Sequence, residues 1–284
     1  MTVLPVLLPP SQALDAARVD RGWNQLPAGV FRPAVAAGLI VALALSIAVA
    51  EAATAAAPFS VLSALWKWAP LMFQGFLFNL LVSFLAMGLG TLAGVPLGLA
   101  QLSVHASVRR AAWAVTQFFR NAPWLVLLFY CMFLLPFEVT VLGVTIPLPG
   151  WAKSVVGLAL PVMANVAEVV RGGVQSIPSG QWESAEALAF TRRQTLWMVI
   201  LPQCLKRMTP PWMNLYAILT MATTLISVVG IQDGMTLTRG ALVAEGRTEL
   251  FIPMYLLLLS WFFLYCYPIA RWTQRLERRF NVIS

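Results

Sequence analysis

From about Pro70 to Leu102 the chain carries no charged residue. A bilayer core about 30 Å thick takes roughly 20 apolar residues per helix, so this run reads as a membrane-spanning helix. Five further runs read the same way: about Ala34 to Pro58, Ala111 to Leu135, Trp151 to Val174, Pro210 to Ile231 and Phe251 to Ala270. The expectation is an all-α polytopic membrane protein with about six transmembrane helices. Composition agrees. Hydrophobic residues make up 60% of the 284 and charged residues only 11%, against about 25% charged in soluble domains. A chain this apolar cannot cover a water-facing surface, and it is too apolar to stay disordered. The first run begins too far from Met1, and is too long, for a cleavable signal segment.

Net charge is +8, which on so apolar a chain points to cytoplasmic loops and not to nucleic acid. With the N-terminus inside, the inner segments hold 13 Lys and Arg and the outer segments 4 (Lys67, Lys153, Arg239 and Arg247). The positive-inside rule therefore places both termini in the cytoplasm. Trp66, Trp68, Trp113, Trp151 and Trp272 fall near span ends, where amphipathic rings prefer to sit. The segment from about 175 to 209 becomes the longest cytoplasmic loop between spans.

Several chemistries fail on inventory. None of the three lysines (Lys67, Lys153, Lys206) follows glycine, so the chain has no phosphate-binding P-loop. The single histidine, His105, lies in a short loop beside Arg109 and Arg110, out of place for an intramembrane hydrolase. Cys131, Cys204 and Cys266 form no CxxC, which argues against a disulfide framework or a zinc site. No catalytic residue, cofactor or metal is expected. What remains moves, assembles or senses something.

The long loop is the most distinctive segment. Pro178-Ser179-Gly180 is a breaker before a helix start. A short helix is expected over Trp182 to Phe190, with Glu183 and Glu186 in its first turns, where the helix dipole favours acids. Ala185, Ala187 and Ala189 would let another backbone approach. Arg192-Arg193 and a second helical stretch stopped near Pro202 follow. By composition alone this is a solvated connection between two spans.

The spacing adds to that reading. Glu183-Ser184-Ala185, Ala189 four residues on, and Val199-Ile200-Leu201-Pro202 after nine more resemble the cytoplasmic loop of ABC importer permeases: Glu-Ala-Ala, three residues, Gly, nine residues, Ile-x-Leu-Pro. The entry Arg171-Gly-Gly-Val-Gln-Ser-Ile-Pro-Ser-Gly-Gln181 resembles the polar-amino-acid branch (histidine, glutamate, glutamine, arginine and opines). So do Phe119-Arg120-Asn121-Ala122-Pro123 and the run from Gln74-Gly75 to Gly98-Leu99. The resemblance covers roughly residues 70 to 284. It implies a five-helix type I importer core with cytoplasmic loop 175–209, preceded by an extra helix at 34–58 and a cytoplasmic segment 1–33.

The resemblance further implies a permease subunit in the bacterial inner membrane that is not itself an enzyme. ATP and Mg would sit on a partner ATPase dimer. A second permease subunit, identical or related, and an extracytoplasmic binding protein would complete the assembly. Gln181, Glu183, Ser184, Ala185, Ala187, Leu188 and Ala189 would contact the ATPase. Two departures stand out there. Ser184 replaces alanine, and Ala189 replaces glycine, where a left-handed backbone costs a residue with a Cβ roughly 1–2 kcal/mol. The local turn is therefore expected to differ slightly.

Ionisable groups inside spans are expensive and usually face a cavity or a partner. Glu168 shares a helix face with Asn165, at i+3. A carboxylate and an amide on a cavity wall suit an amino acid's ammonium group. Equally, Glu168 can pair with Arg171, also at i+3. In related permeases a Tyr-x-x-Glu pattern lies near the path, and Asn165 replaces that tyrosine. The family's Lys-Asp-Thr-Ser-Leu reads Met221-Ala222-Thr223-Thr224-Leu225 here, leaving Thr223 and Thr224 as possible ligands, although threonines in spans often bond their own backbone. The missing charges point to an atypical substrate or a passive half of an asymmetric dimer. Arg120 is read as fixing a helix end near a break at Pro123, and Gly90, Gly94 and Gly98 as a close-packing seam. Two other classes stay open: an ATP-independent secondary transporter, for which no internal repeat is visible, and a structural or sensory subunit.

Overall fold

The computed structural model describes residues 34–53, 61–141 and 144–281. The 1–33 segment, the end of the first run and the side chain of Glu51 lie outside the described residues. The helices are α1 (Ala34–Ala53), α2 (Val61–Ala100), α3 (Ala106–Asn121), α4 (Trp124–Leu134), α5 (Gly150–Gln175), α6 (Ser179–Ala187), α7 (Arg192–Gln194), α8 (Leu201–Ala222), α9 (Gly234–Glu245) and α10 (Phe251–Asn281). Four helical stretches among the described residues are long and apolar enough to cross a membrane: Val61–Ala100, Gly150–Gln175, Arg192–Val229 and Thr248–Arg279. Ala37–Ala50 and Trp124–Leu134 are shorter apolar helices.

The third run is divided into two helices. Pro123 caps α4 in extended backbone; the residue before a proline is steered away from the helical region, and Ala122 ends α3. The all-α fold holds, with one short strand pair added among the described residues. Strands Glu138–Val141 and Val144–Pro147 pair antiparallel, with Val139 opposite Ile146 and Thr140 opposite Thr145. These β-branched residues suit an extended pleat. Leu148 N donates to Phe137 O at 2.7 Å below the pair.

The bundle is built on α2 and α5. A Cβ at Gly90 would overlap Val162 Cγ1. At Gly94 it would lie 2.6 Å from Met163 O, and at Gly98 2.6 Å from Ala167 O. The expected glycine seam is therefore a packing surface against α5, where small residues admit close approach. Each step of four along α2 matches a step of four along α5, so the two helices run parallel.

Lys153 corrects the charge reading. Far from being a topological charge in an outer loop, it is fully buried. Its Nζ donates to Leu135 O at 2.8 Å and sits 3.7 Å from the Phe137 ring centre. It caps the C-terminal carbonyls at the end of α4, where a cation is favoured.

A second buried cluster ties α9 to α2. Asn79 and Asp233 are both fully buried. Asn79 Nδ2 donates to Asp233 Oδ2 at 3.2 Å and to Thr223 Oγ1 at 3.0 Å, while Asn79 Oδ1 accepts from Gly234 N at 2.9 Å. Asp233 Oδ1 caps α9 by accepting from Thr236 N at 2.9 Å. At the other end of α9, Lys67 Nζ and Trp68 Nε1 donate to Glu245 Oε1 and hold its carboxyl below the usual range.

Candidate functional site

Helix α6 starts earlier than the sequence suggests. Pro178 has extended backbone and the helix opens at Ser179, so Glu183 and Glu186 lie beyond the first turn and gain little from the N-terminal dipole, which fades within one turn. Gln181, Glu183, Ser184, Ala187 and Ala189 are exposed, and Leu188 is 70% exposed. Ala185 is the exception. It is 3% exposed and turned into its own chain, so it supports the helix and is not presented to a partner. The alanines do not form one face.

The turn after α6 keeps the glycine-type geometry. Ala189 has φ +58°, the one positive φ outside glycine among the described residues. Its N–H donates to Glu186 O at 2.8 Å, and Phe190 N donates to Ala185 O at 3.1 Å. These bonds close the helix end as a left-handed cap does. The expected local difference is absent, because the backbone bonds hold Ala189 in the strained region. Ala189→Gly is therefore expected to stabilise the loop by about 1 kcal/mol, relief of the Cβ clash exceeding the added chain entropy. The check is the thermal midpoint of the purified chain together with protease resistance of the loop. A fall in either counts against strain at Ala189.

The support beneath α6 differs from a helix stopped at Pro202. Thr191 caps α7, accepting from Gln194 N while Gln194 Oε1 accepts from Thr191 N. Thr195–Ile200 then forms a π-helical stretch, and Leu201 N donates to Leu196 O, five residues back. The chain runs on into α8 with Pro202 in its first turn. A proline there lacks a donor and crowds the preceding turn; the wider π turn accommodates it. Gln203 Nε2 donates to Gln181 Oε1 at 3.1 Å, tying α6 to α8. Trp197 and Met198 are 57% and 65% exposed. Large apolar residues in a loop outside the bilayer are the signal in the sequence that marks both.

Each of the four residues assigned to a path is hydrogen-bonded or ion-paired within the chain. Glu168 is held by Arg171, with Nη2–Oε2 at 2.7 Å and Nε–Oε1 at 3.3 Å. Arg120 joins from α3 at 3.4 Å, so it pairs with α5 as well as ending its own helix. Asn165 Nδ2 donates to Pro161 O at 2.8 Å. Thr223 is fully buried, donates to Thr220 O and belongs to the Asn79–Asp233 cluster. Thr224 donates to Met221 O at 2.9 Å. Both threonines thus bond their own helix backbone, a cheap solution for a hydroxyl in an apolar helix.

Comparison with known proteins bears on the whole arrangement. Residues 86–282 match the family described as binding-protein-dependent transport system inner membrane component. The chain is 33% identical over 188 residues to the inner membrane amino-acid ABC transporter permease protein YhdY of Escherichia coli (strain K12), covering 66% of this chain and 50% of that protein. It therefore spans half the length of that relative. It is 29% identical over 211 residues to the probable amino-acid ABC transporter permease protein YckA of Bacillus subtilis (strain 168), covering 74% and 89% of the two chains. Its fold is similar to a chain in the crystal structure of an amino acid ABC transporter with histidines. The TM-score is 0.67 at 27% identity, covering 78% of this chain and 100% of that one.

Proposed function

Since the chain belongs to the family of binding-protein-dependent transport system inner membrane components, whose members are permease subunits and not enzymes, we propose that it carries a polar amino acid or related compound inward. Membership sets aside the ATP-independent alternative. The compound arrives on an extracytoplasmic binding protein. The permease pairs with a second permease subunit, and an ATPase dimer holding ATP and Mg drives the pair. Both termini lie in the cytoplasm. The parallel course of α2 and α5 supports that topology, since the charge distribution runs both from outside to inside. The amino-acid assignment rests on the names of the relatives.

One observation carries the mechanism. Helix α6 projects Gln181, Glu183, Ser184 and Leu188 outward on a base formed by the π stretch, and the left-handed turn at Ala189 ends it. A short, firmly seated helix transmits closure of a partner as a rigid body. Ala187 and Ala189 leave room for a close neighbour, and Glu183 offers a carboxylate to a basic side chain. Of the residues read as lining the path, Glu168 remains the candidate. Its ion pairs with Arg120 and Arg171 can be exchanged for the ammonium and carboxylate of a passing zwitterion.

The test is purification of the tagged chain from its native membrane in mild detergent, with mass spectrometry of what accompanies it. A stoichiometric P-loop ATPase is expected, and Glu183→Arg is expected to remove most of it while the chain stays folded. A folded parent chain with no ATPase, or a Glu183→Arg chain that retains it fully, overturns the reading.

A further inference from the structure

Helix α8 leaves one face open. Cys204 Sγ donates to Gly173 O at 3.3 Å, and the hydroxyls of Tyr216 and Tyr265 lie 2.8 Å apart, so other sides of α8 pack on α5 and α10. The stripe Arg207, Pro211, Asn214, Ile218 and Met221 recurs every three or four residues and is exposed throughout. Residues so spaced share one helix face.

Ile218 and Met221 suit hydrocarbon, and Asn214 does not. Arg207 marks the loop end of the helix, where its Nη1 donates to Ser176 O at 2.6 Å. Asn214 lies about 10 Å along the axis from it, at a helical rise of about 1.5 Å per residue. It is farther still from Val229, the other end of the membrane-length stretch. The Asn214 amide is therefore at hydrocarbon depth. Elsewhere in the spans such groups are satisfied. Asn79 and Asn165 bond within the chain, and the hydroxyls of Thr220 and Ser227 donate to nearby carbonyls. Asn214 makes no hydrogen bond among the described residues. An amide left alone among lipid tails is costly.

A second observation concerns the backbone of the same stripe. Pro210 and Pro211 stand three and four residues after Arg207. Neither has an N–H, so neither closes a helical turn on the Arg207 carbonyl. Helical carbonyls point toward the C-terminus and helical side chains lean toward the N-terminus. The Arg207 carbonyl and the Asn214 amide thus both border Pro211. Carbonyls freed by proline inside a membrane are tolerated where water or a polar neighbour meets them.

We propose that this face of α8 lines a water-filled path, with the Asn214 amide hydrogen-bonding the polar cargo as it passes. The inference rests on the transport reading above and adds a residue to it. Water satisfies both the amide and the carbonyl, and lipid tails satisfy neither. Water can reach them because the stripe runs unbroken from the exposed Lys206 and Arg207 at the loop end. The chemistry suits a zwitterion. An amide both donates and accepts, so it can meet an ammonium or a carboxylate, and being uncharged it favours neither sign.

The experiment has two readouts on the full chain in its native membrane. The first is the reaction of Asn214→Cys with a charged, membrane-impermeant methanethiosulfonate. Cys131, Cys204 and Cys266 are buried, so the parent sets the background. Ile40→Cys, 68% exposed on the apolar helix α1, is the control for exposure without polar neighbours. Asn214→Cys is expected to react at least about 10-fold faster than either, because only a hydrated thiol ionises readily. The second readout is uptake of arginine, glutamine and glutamate, compared at equal membrane levels of each variant. Asn214→Leu is expected to raise the KM for uptake about 10-fold, and Asn214→Gln to stay near the parent. Asn214→Asp is expected to raise arginine uptake relative to glutamate about 10-fold, a ratio that a merely structural role would not move. Labelling of Asn214→Cys no faster than Ile40→Cys overturns the proposal, and so does an unchanged ratio in Asn214→Asp. An Asn214→Cys chain that cross-links to a second copy and resists the reagent overturns it in favour of a seam between copies. If the parent takes up none of the three amino acids, the transport reading fails by itself, and labelling still decides whether water reaches Asn214.

Discussion

Replacing Gly94 with leucine is expected to prevent stable assembly of the bundle, whereas the same replacement at Gly88, earlier on the same helix, is expected to be tolerated. At Gly94 a Cβ would lie 2.6 Å from Met163 O and 2.7 Å from Val166 Cβ. The first is backbone and cannot rotate away, so α2 and α5 must separate. Overpacking of a well-filled core costs about 1–3 kcal/mol. Here the strain falls on a parallel seam that repeats at Gly90 and Gly98, and separation at one glycine loosens the other two contacts. A Cβ at Gly88 meets nothing within 4 Å. Both variants lose the same glycine entropy and gain the same side chain, so their difference isolates the seam. The measurements are membrane accumulation and thermal midpoint in detergent. Equal behaviour of the two variants would show that the seam does not hold the helices together.

Removing the carboxylate of Asp233 is expected to have the next largest effect. Asp233→Ala strips the cap from Thr236 N and takes an acceptor from Asn79 Nδ2, both in buried surroundings. A lost cap costs about 1 kcal/mol and a buried group deprived of its partner about 1–3, giving about 2–4 kcal/mol together. Asp233→Asn separates the two effects. Its amide oxygen can still cap Thr236, but its NH₂ then faces that of Asn79. Its loss is expected to fall between parent and alanine variant. The readout is the thermal midpoint, with protease cleavage between residues 230 and 246 reporting release of α9. Two variants within a degree of the parent would show that this cluster adds nothing to stability. The close approach behind it, a Cβ at Gly75 lying 2.6 Å from Gly234 Cα, would then be sufficient to seat α9.

Part of the site was legible because its signals are local. The spacing from Glu183 through Ala189 to Pro202 is a property of neighbouring residues, and so is the glycine position that Ala189 occupies with φ +58°. The Glu168–Arg171 pair was legible for the same reason, since i and i+3 meet on any helix. Arg120 was not, because its approach to Glu168 depends on how α3 lies against α5. The outward-facing alanine surface failed at Ala185. Composition shows that small residues are present, but which one is turned inward depends on the π stretch that packs beneath the helix.

Lys153 shows the limit of charge counting. A lysine at a predicted loop boundary reads as topology, yet this one is buried over the last carbonyls of α4. Asn79 and Asp233, 154 residues apart, have no local mark. One interrupts an apolar run and the other follows a 3₁₀ turn.

By itself, then, the sequence determined where the apolar runs lie, their order and the spacing of the 175–209 loop. Each follows from hydropathy, charge and backbone preference over a few turns of chain. The tertiary structure alone decided which glycine face meets which valine face and which buried polar groups satisfy one another. The physical reason is range. Transfer into a membrane is scored residue by residue, whereas a contact between distant segments exists only once the helices have chosen their neighbours.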